Sequence, residues 1–326
     1  MIRVYLFPNV DSAIRIRVLY SQRLRGREVF RNLNEKVGRH WYSPYMYLLP
    51  SALIFLVFIV GPALFVFYIS FFHWNFLNAS MSYFVGTKNY AHLLGSGSFW
   101  HSLAITLYFV VGTVPVGLFL ALGMALLLMN YFPGRGLARL AVFSPYVTPV
   151  VATSIIWIWI FNPQFGLING LLHTAHLPEP GWLNSPQWAM PAIIIFSLWH
   201  SMGFDVIIFM AGLSMIPGEL REAARVDGAN RWVEFWNVTW PLLSPTTLFV
   251  LVITSIGALQ AFTQFFTMTQ GGPLAATTTT SYLLYQMAFI FYHTGPAAAL
   301  AVILFFIIAV LTWVQMMLSQ RRTYYR

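Results

Sequence analysis

Long apolar runs separated by short polar segments dominate the chain. Six runs carry at most one charged residue and are about 20 residues or longer, the length at which an α-helix crosses the hydrocarbon core of a bilayer. They span residues 46–72, 102–130, 140–161, 190–213, 242–264 and 295–318. The fourth run is the least uniform, because it contains His200 and Asp205. This pattern predicts an all-α, polytopic membrane protein with six transmembrane helices.

The composition is that of a protein that faces lipid. Only 8% of the residues are charged and 58% are hydrophobic, whereas soluble domains carry about 25% charged residues. The absence of cysteine excludes disulfides, thiolate metal ligands and cysteine nucleophiles. A net charge of +9 would suggest nucleic acid as a partner of a soluble protein. Here the placement of the charges indicates membrane lipid instead, and we expect no nucleic-acid partner.

Lysine and arginine are unevenly distributed between alternate segments. With six spans, one side of the membrane receives the two tails and the loops 131–139 and 214–241. These four segments contain all of the 18 Lys and Arg residues except Lys88. Because cytoplasmic segments are enriched in these residues, both termini are predicted to be cytosolic. The predicted division is a basic cytosolic tail attracted to anionic lipid, a transmembrane domain and a cytosolic C-terminal tail, at residues 1–45, 46–320 and 321–326.

Several kinds of catalytic chemistry have no motif in the sequence. There is no Gly-x-x-x-x-Gly-Lys-Ser/Thr phosphate loop, so the chain does not bind ATP by that route. No His-Glu-x-x-His or similar histidine pair suggests a metal site. The nucleophile motifs Ser-x-x-Lys and Gly-x-Ser-x-Gly are also absent. We therefore expect no catalytic site, no metal and no cofactor in this chain.

The loop 214–241 is more polar and more structured in pattern than the other loops. Pro217 can begin a helix, and Glu222 lies near its first turns, where a negative charge is favourable against the helix dipole. Gly228 supplies a turn, and Pro241 leads back into an apolar run. The pattern predicts a short amphipathic cytosolic helix, a turn and a re-entry into the membrane at Pro241. From charge and spacing alone, a helix lying on the bilayer and a docking helix for a cytosolic partner both stay open.

The same loop carries a spaced signature. It runs Glu222-Ala223-Ala224, three residues, Gly228, nine residues and Val238-Thr239-Trp240-Pro241. This resembles the signature Glu-Ala-Ala, three residues, Gly, nine residues, Ile-x-Leu-Pro of the permeases of binding-protein-dependent ABC importers. Val238 and Trp240 stand where that signature has isoleucine and leucine, and both are apolar. The segments Phe161-Asn162 and Gly271-Gly272-Pro273 resemble the first of the two permeases in maltose and glycerol-3-phosphate type systems, and the resemblance extends over about residues 44–320.

The resemblance implies a fold, partners and a location. The fold is the type I ABC importer permease fold, in a bacterial or archaeal cytoplasmic membrane. A second permease subunit completes an alternating-access pathway for a sugar, oligosaccharide or related solute, which an extracytoplasmic solute-binding protein delivers. Two cytosolic ATPase subunits bind ATP and Mg²⁺ and hydrolyse the ATP, so this chain is a transport subunit and not an enzyme. The resemblance makes residues 214–241 the ATPase-coupling loop, called the coupling loop below, with its functional residues at Glu222, Ala223, Ala224, Asp227, Gly228 and Pro241.

The resemblance also implies that Glu222 meets a cationic side chain of the ATPase. Arg225 lies three residues further on, close enough to pair with Glu222 within one helix. That pair would be exposed and worth only a few tenths of a kcal/mol. We therefore expect loss of Glu222 to weaken the ATPase contact and loss of Arg225 to have little effect.

Four polar residues inside the predicted spans are candidates for the solute pathway. Asp205 is the only acidic residue inside a predicted span, and a charge at membrane depth costs at least about 2.5–3.5 kcal/mol on insertion scales. It should therefore face protein or a water-filled cavity, either to contact solute near His200 or to form a structural hydrogen bond. Gln260 and Gln264, four residues apart, are predicted to share one face of the fifth span. They would bind a sugar hydroxyl or join helices.

Two other functional classes remain as alternatives. A secondary transporter or a channel, not coupled to an ATPase, would use intramembrane charges or a filter motif. This sequence has one intramembrane acid and no evident filter. A membrane enzyme would need a catalytic cluster, and none is found.

Overall fold

The computed structural model describes residues 43–75 and 78–320. The predicted tails, residues 1–42 of the first and 321–326 of the second, lie outside the described residues. The chain divides into two compact units, residues 1–65 and 66–326.

The first span is built from two α-helices joined by a π-helical turn. Helix α1 covers Ser43–Phe55, the π-turn covers Leu56–Val60, and α2 covers Gly61–Ile69. From residue 45 to residue 59 every side chain is exposed and nearly all are apolar. Such a surface is stable against lipid tails or another apolar helix and not against water.

A short hairpin and the longest unbroken α-helix follow. Strands β1 (Phe72–His73) and β2 (Tyr83–Phe84) pair antiparallel, and α3 covers Lys88–Leu94. Helix α4 (Gly97–Met129) begins where the Ser96 hydroxyl accepts a hydrogen bond from the Phe99 amide at 3.3 Å. With 33 residues α4 is about 50 Å long, which exceeds the hydrocarbon thickness of about 30 Å.

The third predicted span, residues 140–161, is not one straight helix. Helix α5 covers Arg135–Val147 and α6 covers Val150–Ile160, and the two are bent by 104°. The bend falls at Thr148 and Pro149. Thr148 is extended (φ −79°, ψ 139°), because a residue before proline is driven out of the helical region.

The start of α5 also corrects the predicted loop 131–139. Gly134 adopts a left-handed conformation (φ 84°), and the helix begins directly after it, so Arg135 and Arg139 lie on α5. Arg139 donates a hydrogen bond to the Leu128 carbonyl near the end of α4 at 3.2 Å. Arg139 therefore holds α5 to α4.

The segment between α6 and the next span is ordered around one asparagine. Helix α7 covers Leu167–Thr174. The buried Asn169 amide donates to the carbonyls of Pro163 and Pro180, both at 3.1 Å, and its oxygen accepts from the Trp182 indole at 2.6 Å. These three bonds fix the two ends of the segment against each other.

The fourth span, α8 (Ala189–Ser214), matches the predicted run and lies in the centre of the second unit. It packs against α4, against α5 and against α11, which covers Trp240–Leu259. A cluster of buried apolar residues joins α4, α8 and α11; its members are Ala121, Leu122, Ala125, Leu128, Val206, Phe209, Leu213, Ile216, Leu243 and Val250.

The fifth span begins earlier than predicted and is interrupted before its predicted end. Helix α9 (Gly218–Val226) precedes it, and α10 (Arg231–Glu234) continues through a π-turn at Phe235–Thr239 into α11. A break after Leu259 then separates α11 from α12 (Thr263–Met268).

Two further helices complete the described chain. Helix α13 covers Thr280–Tyr285 and is followed by a π-turn at Gln286–Ile290 and by α14, Thr294–Gln320. Within the described residues, five helices are long and apolar enough to cross a membrane, or six if the bent pair α5–α6 counts as one span. The predicted fold class, an all-α polytopic membrane protein, is confirmed.

Candidate functional site

The coupling loop has the geometry of a closed helix–turn–helix. The turn after α9 is fixed by two backbone bonds: the Gly228 amide donates to the Arg225 carbonyl at 3.0 Å, and the Ala229 amide donates to the Ala224 carbonyl at 2.9 Å. This pair of bonds is the Schellman motif, in which the residue directly after the helix cap adopts a left-handed conformation. Gly228 fills that position with φ 85°.

The second helix of the loop starts immediately after the turn. The Asn230 side chain accepts a hydrogen bond from the Val233 amide at 2.9 Å and so caps α10. The helix that leads to Pro241 begins ten residues before it, at Arg231. Pro241 lies at the first positions of α11, where a proline is tolerated.

An ion pair joins the two helices of the loop. Arg225 Nε donates to Glu234 Oε2 at 2.8 Å, and a terminal nitrogen of the same guanidinium lies 3.4 Å from Oε1. The Glu234 side chain is 9% exposed, whereas that of Arg225 is 61% exposed. The hydrogen bond to Glu234 raises the pKa of the Arg225 guanidinium above its ordinary value. The spacing allowed an exposed pair with Glu222, but the hydrogen-bond partner of Arg225 is nine residues further along the chain, on the second helix. The small effect expected for loss of Arg225 rested on the exposed pair and no longer follows.

The outer surface of α9 combines acidic and apolar side chains. Glu222, Ala223 and Asp227 are exposed, and Ala224 is half-buried. Val226 is 87% exposed although it is aliphatic. The loop therefore presents a small apolar surface next to a free carboxylate, on a backbone that the turn and the ion pair hold in place.

A cavity of about 300 Å³ lies within the second unit and brings three of the four pathway candidates together. His200, Asp205 and Gln264 line it, from α8 and α12. Other walls come from α4, α5, α6 and α11; they contribute Phe109, Thr113, Val114, Gly117, Tyr146, Val150, Ile253, Thr254, Gly257 and Ala258. Aromatic and aliphatic groups form most of the surface, with a few polar groups among them, as in most small-molecule sites.

Asp205 and His200 do not bond to each other. His200 Nε2 lies 3.1 Å from the Thr148 carbonyl oxygen, and because that oxygen only accepts, Nε2 is the donor. The ring thereby holds the bend between α5 and α6. Asp205 is 3% exposed and lines the cavity, and its carboxylate has no hydrogen-bond or ion-pair partner within residues 43–75 and 78–320.

Gln260 and Gln264 do not share a helix face. Gln260 ends α11 with φ −94° and ψ 3°, and the chain is non-helical at Ala261 and Phe262 before α12 begins. The four-residue spacing places side chains together only inside one continuous helix. Gln260 is exposed outside the cavity, whereas Gln264 lines it.

The sequence contained a signal for the cavity that the interpretation above missed. On α8, the lining residues follow the three- and four-residue spacing of one helix face, at Phe196, Ser197, His200, Ser201, Phe204 and Asp205. Four of the six are polar, within a helix that is mostly apolar. The ion pair of the coupling loop had no such signal, because its partners lie on different helices.

Comparison with known proteins places this chain among transport proteins. Residues 113–324 match the family model described as binding-protein-dependent transport system inner membrane component. The chain is 34% identical over 233 residues to the trehalose/maltose transport system permease protein MalF of Thermococcus litoralis, covering 72% of this chain and 79% of that protein. It is 34% identical over 230 residues to the sulfoquinovosyl glycerol transport system permease protein SmoG of Agrobacterium fabrum, covering 71% and 75%.

Solved structures show the same fold. A chain of a bacterial ABC transporter involved in import of the acidic polysaccharide alginate superposes with a TM-score of 0.76 at 24% identity, covering 90% of this chain and all of that one. The family match extends over well over half of the chain and includes the coupling loop, α8 and α11. The chain belongs to the family of inner membrane components of binding-protein-dependent transport systems.

Proposed function

We propose that this permease and a second, related permease form the alternating-access pathway of an ATP-driven importer for a sugar, oligosaccharide or related solute. An extracytoplasmic binding protein delivers the solute, and two cytosolic ATPase subunits bind ATP and Mg²⁺ and supply the energy. The solute class is supported by the name of the trehalose/maltose permease. Residues 46–320 form the permease domain, and both termini are cytosolic.

The observation that carries this proposal is the form of the coupling loop. A docking element must keep its shape while a partner moves, and α9 is held at its end by the Schellman turn and by the Arg225–Glu234 ion pair. Val226 and Leu220 are exposed on this helix. A partner that covers them removes apolar surface from water, which favours association. A helix lying on lipid would not need an ion pair to fix its angle to α10.

Glu222 is the residue we assign to the ATPase contact. It is exposed on α9 and is free of the ion pair, since Arg225 hydrogen-bonds to Glu234. The neighbouring Ala223 is also exposed, and its small side chain lets a partner backbone approach closely. In the complex, Glu222 meets an arginine or lysine of the ATPase.

The solute crosses beside the cavity lined by His200, Asp205 and Gln264. The carboxylate of Asp205 and the amide of Gln264 offer hydrogen-bond acceptors to sugar hydroxyl groups, and the amide also donates. Aromatic walls such as Tyr146 and Phe204, stacked with ring centroids 5.0 Å apart, cover the apolar face of a sugar ring. Gln260 is not assigned to the pathway.

The test compares two acidic residues of α9. Glu222→Ala should weaken association with the ATPase roughly 30-fold, because truncating one partner of a partly desolvated charge pair costs about 2 kcal/mol or more. Glu219→Ala is the matched control, since Glu219 is exposed in the first turn of the same helix. Association is measured by recovery of the ATPase with the tagged permease, and uptake is measured in the same membranes.

The two variants must differ for the proposal to stand. If both carry a full complement of ATPase and transport at the wild-type rate, Glu222 has no coupling role. If no ATPase is recovered even with the wild-type chain, the importer proposal fails in favour of a transporter or channel that works without one.

A further inference from the structure

Asp205 is the only acidic residue among the described residues that line the cavity, and no lysine or arginine lines it. His200 donates through Nε2 to the Thr148 carbonyl. Gln264 and the hydroxyl groups of the wall are neutral. Among the described lining residues, the carboxyl of Asp205 is therefore the only group that can be anionic near neutral pH.

This carboxylate is unusual because it is deeply buried and unpartnered. Buried charges in proteins are normally paired or bound by several donors. The Arg225–Glu234 pair in the same chain has that arrangement. Asp205 has no partner in the described chain, and its side chain lines open space. A buried acceptor that faces a cavity without a donor is matched by donors that arrive with a ligand.

The charge also decides which ligands fit. Low-dielectric walls focus the field of a single charge into the cavity, where a like charge meets repulsion and an uncharged group does not. A phosphate, sulfonate or carboxylate on the solute would need a cation nearby, and the described lining contains no lysine or arginine. Hydroxyl groups, in contrast, donate directly to the carboxylate.

We propose that Asp205 is ionised in the transporter and makes this cavity selective by charge, so that uncharged polyhydroxylated solutes enter it and anionic ones are rejected. This inference rests on the proposed solute pathway and narrows its solute class. It places the chain with the permease named for trehalose and maltose, which are uncharged sugars. It separates the chain from the relatives named for sulfoquinovosyl glycerol, a sulfonate, and for the acidic polysaccharide alginate.

The absence of cysteine allows a direct test of the field in the cavity. A thiol is introduced by Thr254→Cys, at a half-buried position of the cavity wall. Membranes that contain the assembled transporter are treated with two thiosulfonate reagents of similar size, one with a trimethylammonium group and one with a sulfonate group. Leu274→Cys, on a residue that is 88% exposed outside the cavity, provides the control rate ratio.

We expect the Thr254→Cys thiol to favour the cationic reagent at least about tenfold more than the control thiol does, within the range of rate effects that charged clefts produce. Adding Asp205→Asn should bring that preference to within about threefold of the control. If the Thr254→Cys and Leu274→Cys thiols show the same cation preference with Asp205 in place, the proposal is overturned. This comparison does not require the Asp205→Asn variant to fold. An unchanged preference in a folded Asp205→Asn variant overturns it as well.

The labelling does not depend on transport, so the two proposals fail separately. If the Thr254→Cys thiol shows no cation preference while Asp205 is present and sugar uptake is intact, only the charge selectivity is refuted. A strong cation preference in a transporter that carries no sugar refutes the sugar assignment alone.

Discussion

Replacement of Gly203 by alanine tests the packing that forms the cavity. Gly203 is buried on α8 between the two cavity residues His200 and Asp205. A Cβ at this position would overlap the carbonyl oxygen of Val142 and would lie 2.9 Å from the Cα atom of Phe143. Both are backbone atoms of α5, so no side chain can rotate out of the way.

The size of the effect follows from this geometry. Relief of the overlap requires α5 and α8 to separate by roughly 0.5–1 Å, and insertions of one methyl group into a packed interior typically cost about 1–3 kcal/mol. The movement would also stretch the 3.1 Å bond between His200 and Thr148 that holds the bend between α5 and α6. We therefore expect Gly203→Ala to lower both thermal stability and solute uptake.

The assay is the fraction of transporter that stays monodisperse after heating, with uptake measured in parallel. Gly123→Ala is the matched control, because Gly123 is exposed on α4 and an added Cβ meets no atom within 4 Å. Alanine is favoured over glycine inside a helix by up to about 1 kcal/mol, so the control should be unchanged or slightly more stable. Equal stability of the two variants would refute the close packing of α5 on α8.

Three further predictions concern the coupling loop and the cavity. Arg225→Ala should reduce solute uptake, because it leaves the buried Glu234 carboxylate without its partner. The double variant Arg225→Glu with Glu234→Arg should restore part of the uptake. Wild-type uptake by Arg225→Ala would contradict this role. Gly228→Val should abolish solute uptake while the protein remains in the membrane, since a left-handed conformation costs a side-chain-bearing residue about 1–2 kcal/mol. Membrane abundance and uptake are measured together. Normal uptake would contradict the need for a left-handed residue at this position. Gln264→Ala should raise the solute concentration needed for half-maximal uptake several-fold and Gln260→Ala should not, and equal effects would remove Gln264 from the pathway.

The spans were predictable from the sequence where the length of an apolar run is enough to define a transmembrane helix. Crossing a bilayer requires an apolar run of sufficient length, and α8 and α14 meet that condition without reference to any other part of the chain. The run 140–161 also met the length condition, but hydropathy does not show where a helix axis changes direction. The bend of 104° depends on Pro149 and on the contact between Thr148 and His200, which are 52 residues apart.

The candidate site divides in the same way. The turn at Gly228 was predictable, because a local motif with a left-handed residue is specified within a few positions. The pairing of Arg225 could not be predicted, because the helical spacing offers only Glu222, whereas the fold brings Glu234 to the guanidinium across the turn. The pairing of Gln260 with Gln264 was mispredicted because the end of α11 after Leu259 interrupts the periodicity on which it relied.

The π-turn at Phe235–Thr239 gives the residue spacing of the coupling signature a physical meaning. A π-turn holds one residue more than an α-helical turn, and in an α-helix one residue corresponds to a rotation of about 100°. If the same residues formed a regular α-helical turn instead, the side chains of α11 would be rotated by about that angle relative to α10. Thr254, further along α11, would then leave the cavity wall. The π-turn therefore accommodates the nine-residue spacing of the signature and sets the rotation of α11, and so of this part of the cavity wall, relative to the coupling loop.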